Sequence, residues 1–269
     1  MQQYHRLSSQ TAVVTGASQG IGRAIAEQLA KEGMRVFGLS RTAVQSDRIQ
    51  WIPCDVAQEG SVQAAFAEVF RQTQRVDILV NNAGMGIAGA AEFTPDGDMQ
   101  RQFQVNVFGA VRCTQAALPA MRRQGGGKIL FISSLASVFP IAFQSFYSMS
   151  KAALDSFSTA LGIECKPFGI QTGTLLLGDV NTGFTQSRKK GMAGDEVYRG
   201  RIGRSIEKME RDEQKGMRPE QVAGAACRLL SKRRLPTRRA VGAANGILFF
   251  LNRILPSRTV LWVLEKLYG

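Results

Sequence analysis

In Tyr147-Ser148-Met149-Ser150-Lys151 a phenol and an ammonium stand four residues apart, within a stretch whose pattern reads as helix. Residues at i and i+4 share one helical face, so both side chains can address the same point. A phenol titrates near ~10, and bringing it to about 7 needs roughly 4 kcal/mol of preferential stabilisation of the phenolate. A neighbouring ammonium supplies stabilisation of that kind, which makes the pair a candidate for acid–base chemistry. Further upstream, Thr15-Gly16-Ala17-Ser18-Gln19-Gly20-Ile21-Gly22 joins an apolar run to a helical pattern. Glycines there permit a tight turn and close backbone approach, and the helix start offers free N–H groups to a pyrophosphate. Other chemistries have little to work with. His5 is the only histidine and falls in a polar N-terminal segment, which argues against a Ser-His-Asp or metal-histidine mechanism. Cys54, Cys113, Cys165 and Cys227 form no Cys or Cys/His cluster, so free thiols and no metal site are expected.

Short apolar runs must position these groups. Ala12 to Thr15, Arg35 to Leu39, Trp51 to Pro53, Ile78 to Val80, Lys128 to Ile132 and Gln171 to Leu176 read as strands. Between them, Ile21 to Lys31, Ser61 to Arg71, Asp98 to Arg122 and Gln144 to Lys166 read as helices. The alternation predicts an α/β fold, a Rossmann-type doubly wound parallel sheet with helices on both faces. A helix from Pro219 to Leu230 completes the core, and Arg239 to Gly242 reads as a last edge strand. We therefore expect one dinucleotide-binding and catalytic domain over residues 1–242 and a C-terminal amphipathic helical tail over 243–269. Residues 183–216 are polar, basic and punctuated by Gly and Met. They follow the sixth strand, outside whose carboxyl end ligands sit in open α/β sheets, so they read either as a substrate lid or as a solvated helical excursion.

Taken with Asn81-Asn82-Ala83-Gly84, Ser134, Tyr147 and Lys151, the glycine turn resembles the T-G-x-x-x-G-I-G, N-N-A-G and Y-x-x-x-K motifs of the short-chain dehydrogenase/reductase family, in order and on the expected elements. The resemblance covers about residues 10–230 and implies nicotinamide-dependent hydride transfer at a carbonyl carbon. It assigns Tyr147 as acid–base residue, and Lys151 as the group that holds the nicotinamide ribose and lowers the phenol pKa. Ser134 becomes the hydroxyl polarising the carbonyl, and Asn106 a support for a water path to the lysine. Ser133 and Ser134 are adjacent and face opposite ways in a strand. The spacing of Ser134 to Tyr147 matches the family pattern, so the resemblance implies Ser134, with Ser133 as a structural hydroxyl.

Cofactor contacts are expected from Gly16, Ser18, Gln19, Gly20, Ile21 and Gly22 in the first turn, and from Asn82, Ala83 and Gly84. Asp55 and Val56 match the family's adenine-contacting pair. At the end of the second strand stands Leu39-Ser40-Arg41-Thr42, with no acid before Asp47. NAD enzymes place a carboxylate there for the ribose 2′-hydroxyl, whereas an arginine accommodates a 2′-phosphate, so Ser40 and Arg41 point to NADP (NADPH). After the sixth strand, Leu177-Gly178-Asp179-Val180-Asn181-Thr182 keeps the family's Gly178 and Thr182, with Val180 between them, but has Leu177 where proline is usual. That loop is correspondingly more adaptable.

Leu135, Val138, Phe139, Pro140, Ile141, Phe143 and Phe146, between Ser134 and Tyr147, are expected to line the pocket mouth. An apolar wall suits a bulky hydrophobic ketone or aldehyde, steroid-, retinoid- or lipid-like, or the corresponding alcohol in reverse. A 3-oxoacyl thioester reductase of lipid synthesis is the enzymatic alternative, and a non-catalytic NADP-binding sensor or scaffold the other. The 269-residue chain carries a formal charge of +13. Much of it lies late, in Arg188-Lys189-Lys190, Lys232-Arg233-Arg234, Arg238-Arg239, Arg253, Arg258 and Lys266, flanking apolar segments without base-stacking aromatics. This favours a lipid surface over nucleic acid as partner, beside the plain reading of a solvated basic face. Ile247 to Leu251 and Val260 to Leu264 are too short to span a bilayer, and three readings stay open: a membrane interface, a second subunit, or the chain's own core. The tail, with Leu255-Pro256-Ser257-Arg258 and Leu264-Glu265-Lys266-Leu267-Tyr268, is similar to the C-terminal end of membrane-associated hydroxysteroid dehydrogenases, and the family resemblance implies a homodimer or homotetramer. No signal peptide or spanning segment is expected, which suggests a cytoplasmic protein with peripheral membrane contact as an option.

Overall fold

A computed structural model describes residues 7–42, 44–252 and 254–268, so that His5 and Arg253 lie outside the described residues. The strands are β1 (Thr11–Thr15), β2 (Arg35–Ser40), β3 (Ile49–Pro53), β4 (Ile78–Asn81), β5 (Ile87–Ala88), β6 (Gly127–Ser134), β7 (Ile170–Leu177), β8 (Lys189–Lys190) and β9 (Arg238–Ala240). Seven of them form one sheet in the order β3-β2-β1-β4-β6-β7-β9, and every pair in it is parallel. The helices are α1 (Gly20–Lys31), α2 (Glu59–Gln72), α3 (Asp96–Phe103), α4 (Gly109–Arg123), α5 (Ser145–Glu164), α6 (Phe184–Ser187), α7 (Arg201–Gln214), α8 (Pro219–Leu230), α9 (Ala243–Leu251) and α10 (Ser257–Tyr268).

Strand side chains alternate between the two faces, and both faces are covered. Val13, Phe37, Leu79, Ile129 and Phe131 pack on one side with Val62, Phe66 and Val69 of α2, Cys113 and Ala117 of α4, and Leu154 of α5. Val14, Val80, Leu130 and Leu175 pack on the other with Ile25 and Leu29 of α1 and Val222, Ala226 and Leu230 of α8. The continuous apolar strands and amphipathic helices of the sequence are thus each satisfied by a two-sided core. All four cysteines are free and buried, and burial pushes the Cys54 thiol up to about 11. Among the described residues no helix is long and apolar enough to cross a membrane, and no cluster of His, Cys, Asp or Glu is arranged to hold a metal ion.

Three departures from the sequence reading bear on the site. The helix expected over Asp98 to Arg122 is two helices joined by a π-helical turn, Gln104–Phe108, with Asn106 buried inside it. Residues 183–216 are not simply a solvated excursion. Ile202, Ile206 and Met209 of α7 pack with Ala88, Ala90 and Phe143 in a separate small core, and β8 pairs with β5. The Arg188-Lys189-Lys190 triplet is also not a free basic patch, because Arg188 pairs with Glu213, Lys189 with Asp98 at 2.6 Å, and Lys190 with Glu210.

Candidate active site

The order of strands reverses between β1 and β4, and there the carboxyl ends of the strands open into a crevice, the usual ligand position in such sheets. A cavity of about 1000 Å³ occupies it. One end is walled by Ser18, Gln19, Gly20 and Ile21 of the first turn, by Ser40 and Arg41 after β2, and by Asp55 and Val56 after β3. The other end holds Ser134, Tyr147 and Lys151.

The first turn is held in shape by β4. Gly16 (φ +63°) and Gly20 (φ +55°) take left-handed backbone that other residues rarely adopt. Thr15 Oγ1 accepts from Asn82 N–H at 3.0 Å and from Ala83 N–H at 3.0 Å. Asn82 Nδ2 donates to Thr15 O at 3.0 Å and Gly16 O at 3.2 Å, so this asparagine latches the turn while also facing the cavity. Gly22, expected as a cofactor contact, does not line the cavity. A Cβ on it would lie 2.3 Å from Gly16 O and from Asn82 Nδ2, so its role is to let α1 sit close under the turn. No side chain caps the start of α1 and its first turn carries no acid, which leaves its N–H groups and positive dipole end open to an anion. The Arg41 guanidinium is exposed on the cavity rim, with no hydrogen bond or ion pair among the described residues. Donors for a pyrophosphate, a rim cation and a long cleft together fit a nicotinamide dinucleotide.

At the reacting end, α5 presents Tyr147 and Lys151 one turn apart, as their spacing predicts. Lys151 Nζ lies 5.7 Å from the Tyr147 ring centroid and donates to Ile132 O at 2.9 Å. Ser134, where β6 ends, is hydrogen-bonded to the Tyr147 phenol and accepts from Ala136 N–H at 3.1 Å. Ser133 is buried, and its hydroxyl has no hydrogen-bond partner among the described residues. Asn106 spends its amide elsewhere: Oδ1 accepts from Met85 N–H at 2.8 Å, and Nδ2 donates to Met85 O at 2.9 Å and Ser150 Oγ at 3.0 Å. It therefore fixes the segment after Gly84 beside Lys151 without lining the cavity. A π-turn at such a place is typical of functional sites.

Burial holds the phenol up at about 12, with the Ser134 hydrogen bond and the Arg188 charge pulling it down. Burial in turn drives the Lys151 ammonium down to about 8, against the opposing pull of Asp155. Anionic ligand groups beside it would favour its charged form. Val138, Pro140, Phe143 and Phe146 do not line the cavity, whereas Leu135, Phe139 and Ile141 do. Phe143 sits at φ +60° and turns its ring into an edge contact with Tyr198, centroids 5.5 Å apart.

Sequence reasoning missed several wall residues. Asp179, Phe184, Arg188 and Glu213 border the reacting end, and Leu248, Leu251, Leu255, Val260, Val263 and Leu264 of the tail border the outer end. No local motif marks the first group; the second was visible as an apolar tail without a stated partner. Gly178, Val180 and Thr182 line the cavity as expected, with Thr182 closing over the first turn: a Cβ on Gly20 would meet its side chain at 3.4 Å.

A half-buried tyrosine hydrogen-bonded to a serine, beside a lysine and at the end of a dinucleotide crevice, defines a nicotinamide-dependent α/β oxidoreductase. The chain belongs to the short-chain dehydrogenase family, whose model matches residues 10–193. It is 35% identical over 98% of its length to a 3-ketodihydrosphingosine reductase of Bacteroides thetaiotaomicron, 99% of which is covered. It is 34% identical over 72% of its length to a 3-oxoacyl-[acyl-carrier-protein] reductase of Homo sapiens, 85% of which is covered. Among solved structures, a short-chain dehydrogenase from Streptomyces avermitilis superposes with a TM-score of 0.82 at 32% identity, over 96% of this chain and 97% of that one.

When bound, a reduced nicotinamide supplies hydride to the carbonyl carbon. The chain's own groups do the rest. We propose that the Ser134 and Tyr147 hydroxyls hold the carbonyl oxygen, that Tyr147 gives its proton as charge develops there, and that Lys151 anchors the ribose. Removing one such hydrogen-bond donor costs ~100-fold or more in turnover, so Ser134→Ala is expected to lower kcat on the order of 100-fold and Ser133→Ala less than about threefold. Steady-state assays on the two variants check the assignment, and the opposite ranking would move the role to Ser133.

Proposed function

We propose that the protein is an NADPH-dependent reductase of a ketone on a bulky, lipid-like chain, working reversibly on the alcohol. The observation that carries this reading is the continuity of the cavity. It runs from the Ser134–Tyr147 pair past Phe139 and Ile141 to a sleeve of tail residues, with Leu251 and Leu264 inside and Leu248, Leu255 and Val263 at an exposed rim. A channel whose walls beyond the reacting end are mainly apolar, with Asn245 and Asn252 the polar exceptions in the tail, suits a long hydrocarbon substrate with one reducible carbon. The name of the Bacteroides thetaiotaomicron relative, 3-ketodihydrosphingosine reductase, supports the same class. Thioester reduction is the second reading, favoured by the 3-oxoacyl-[acyl-carrier-protein] reductase similarity. NADPH oxidation measured across steroids, retinals, long-chain ketones and 3-oxoacyl thioesters tests the proposal. Turnover of thioesters alone would replace the first reading with the second, and tight NADPH binding with no turnover of any carbonyl would favour a sensor.

Arg41, free on the rim, and the lack of an acid beside it support the choice of NADP over NAD. Loss of one exposed arginine–phosphate pair is worth about 1–2 kcal/mol, so Arg41→Ala is expected to raise the KM for NADPH about tenfold and leave that for NADH nearly unchanged. Equal effects on both cofactors would remove Arg41 from the 2′-phosphate site.

The outer face of α9 and α10 supports peripheral lipid contact at a cytoplasmic membrane surface. Ile247, Phe250 and Trp262 are 61%, 61% and 60% exposed, with Arg258 and Lys266 exposed on α10 beside them. Co-sedimentation with anionic vesicles, lost in Phe250→Glu/Trp262→Glu, is the expected result. A homodimer or homotetramer, sized by light scattering, with Phe250 and Trp262 protected and no vesicle binding, would assign that face to a second subunit instead.

A further inference from the structure

Asp155 stands one turn beyond Lys151 on α5, so the helix carries Tyr147, Lys151 and Asp155 in one line at intervals of four. The carboxylate is 3% exposed and does not line the cavity. Its Oδ2 accepts from Ser137 Oγ at 2.7 Å, and the same hydroxyl lies 2.8 Å from Ser134 O. Ser137 closes the short turn, Leu135–Ser137, that Ser134 opens. Asp155 therefore ties the turn of the site serine to the helix that bears the phenol. Its Oδ1 has no hydrogen-bond partner among the described residues, which is costly for a buried carboxylate unless opposite charge is near.

Lys151 supplies that charge. It is buried, and its Nζ donates to Ile132 O of β6 rather than to a carboxylate. The other groups around it are neutral: the Tyr147 ring on its own helix, and Gly84 and Asn106, where a Cβ on Gly84 would lie 3.8 Å from Lys151 Nζ and 3.4 Å from Asn106 Oδ1. Burial lowers the ammonium to about 8, and Asp155 is the charge that opposes the loss. Each ion thus offsets the burial of the other without touching it. Neither hydride transfer nor proton donation accounts for Asp155.

We propose that Asp155 is a positioning residue of the site: its buried carboxylate keeps Lys151 cationic for the cofactor, and through Ser137 it holds the Ser134 turn against α5. This role rests on the reading that Lys151 anchors the cofactor ribose, and the test separates the two.

Asp155→Asn removes the charge and keeps the tether, since its amide can donate to Ser137 Oγ and leave the hydroxyl proton for Ser134 O. NADPH affinity is measured by fluorescence titration from about pH 6.5 to about pH 9.5. In wild type the dissociation constant is expected to be level up to about 8 and to climb above it, as Lys151 loses its proton. Cys54 and Tyr147, at about 11 and about 12, titrate well above that limb. A neighbouring opposite charge is worth about one pH unit, so in Asp155→Asn the climb is expected to begin near about 7. Binding is then about fivefold weaker than wild type at pH 8 and within about 1.5-fold of it at pH 6.5. Asp155→Ser, smaller and likewise uncharged, is read in the same way if Asp155→Asn does not fold. Ser137→Ala breaks the tether but keeps the charge, and its climb is expected to stay at about 8. A purely structural Asp155 would lower the melting temperature of these variants and move no profile. A climb that stays at about 8 without the carboxylate overturns the role of Asp155 and leaves Lys151 as the anchor. Wild-type affinity that is level across the whole range, or no NADPH binding at all, overturns both.

Discussion

Tyr147→Phe lowers kcat for carbonyl reduction by about 10³-fold or more while NADPH binding stays within a factor of about two, because only the proton donor is removed. The ring keeps its contact with Phe184, and Ser134 and Lys151 keep their backbone partners Leu177 O, Ala136 N–H and Ile132 O. Stopped-flow hydride transfer together with cofactor fluorescence separates the two effects, and a drop below about tenfold would mean that another group delivers the proton. The direction of the pKa shift adds a pH signature. A phenol held at about 12 is fully protonated near neutrality, so reduction is expected to be flat in that range. Alcohol oxidation needs the phenolate, so its rate should climb by about tenfold per pH unit on the alkaline side until the phenol of the ternary complex titrates. The slope disappears in Tyr147→Phe.

Gly22→Ala is expected to destabilise the fold by about 3 kcal/mol or more and to abolish cofactor binding at ordinary concentrations. The added methyl would lie 2.3 Å from a backbone carbonyl, that of Gly16, which cannot yield without opening the turn. It would lie equally close to Asn82 Nδ2, the group that ties the turn to β4. Differential scanning fluorimetry should show a loss of about 6 °C or more for a chain of this size. Gly60→Ala is the control, since a Cβ there meets nothing within 4 Å and alanine favours the helix. A Gly22→Ala protein that melts and binds NADPH like wild type would mean the turn is not locked by this contact.

Much of this architecture was legible because it rests on local rules. Strands buried on both faces need an apolar stretch, and β1, β2, β4, β6 and β7 each contain one; the glycine turn announces itself by residues that tolerate positive φ. Tyr147 and Lys151 meet because helical spacing dictates it. What escaped depends on long-range meetings. Two-residue strands such as β5 and β8 have no pattern to read, and the lysines of β8 look like solvated charge until Asp98 and Glu210 arrive from distant helices. Asp179 and Arg188 share a wall only through the fold of the segment between β7 and α7. The phenol's electrostatics escaped for a related reason: spacing brings an ammonium near, but burial penalises both charges, and burial is a property of the whole cavity.

The π-turn over Gln104–Phe108 carries one residue more than an α-helical path of the same reach. It acts as a phase shift between two rotational frames. α3 is set so that Gln102 turns inward toward Met85 O, and α4 so that Cys113, Ala117 and Met121 meet the sheet. Removing a single residue between them would rotate one frame against the other by about 100°, taking one face or the other off its partner. Length in this stretch is therefore fixed to the residue, although Gln104, Val105, Val107 and Phe108 are each chemically ordinary.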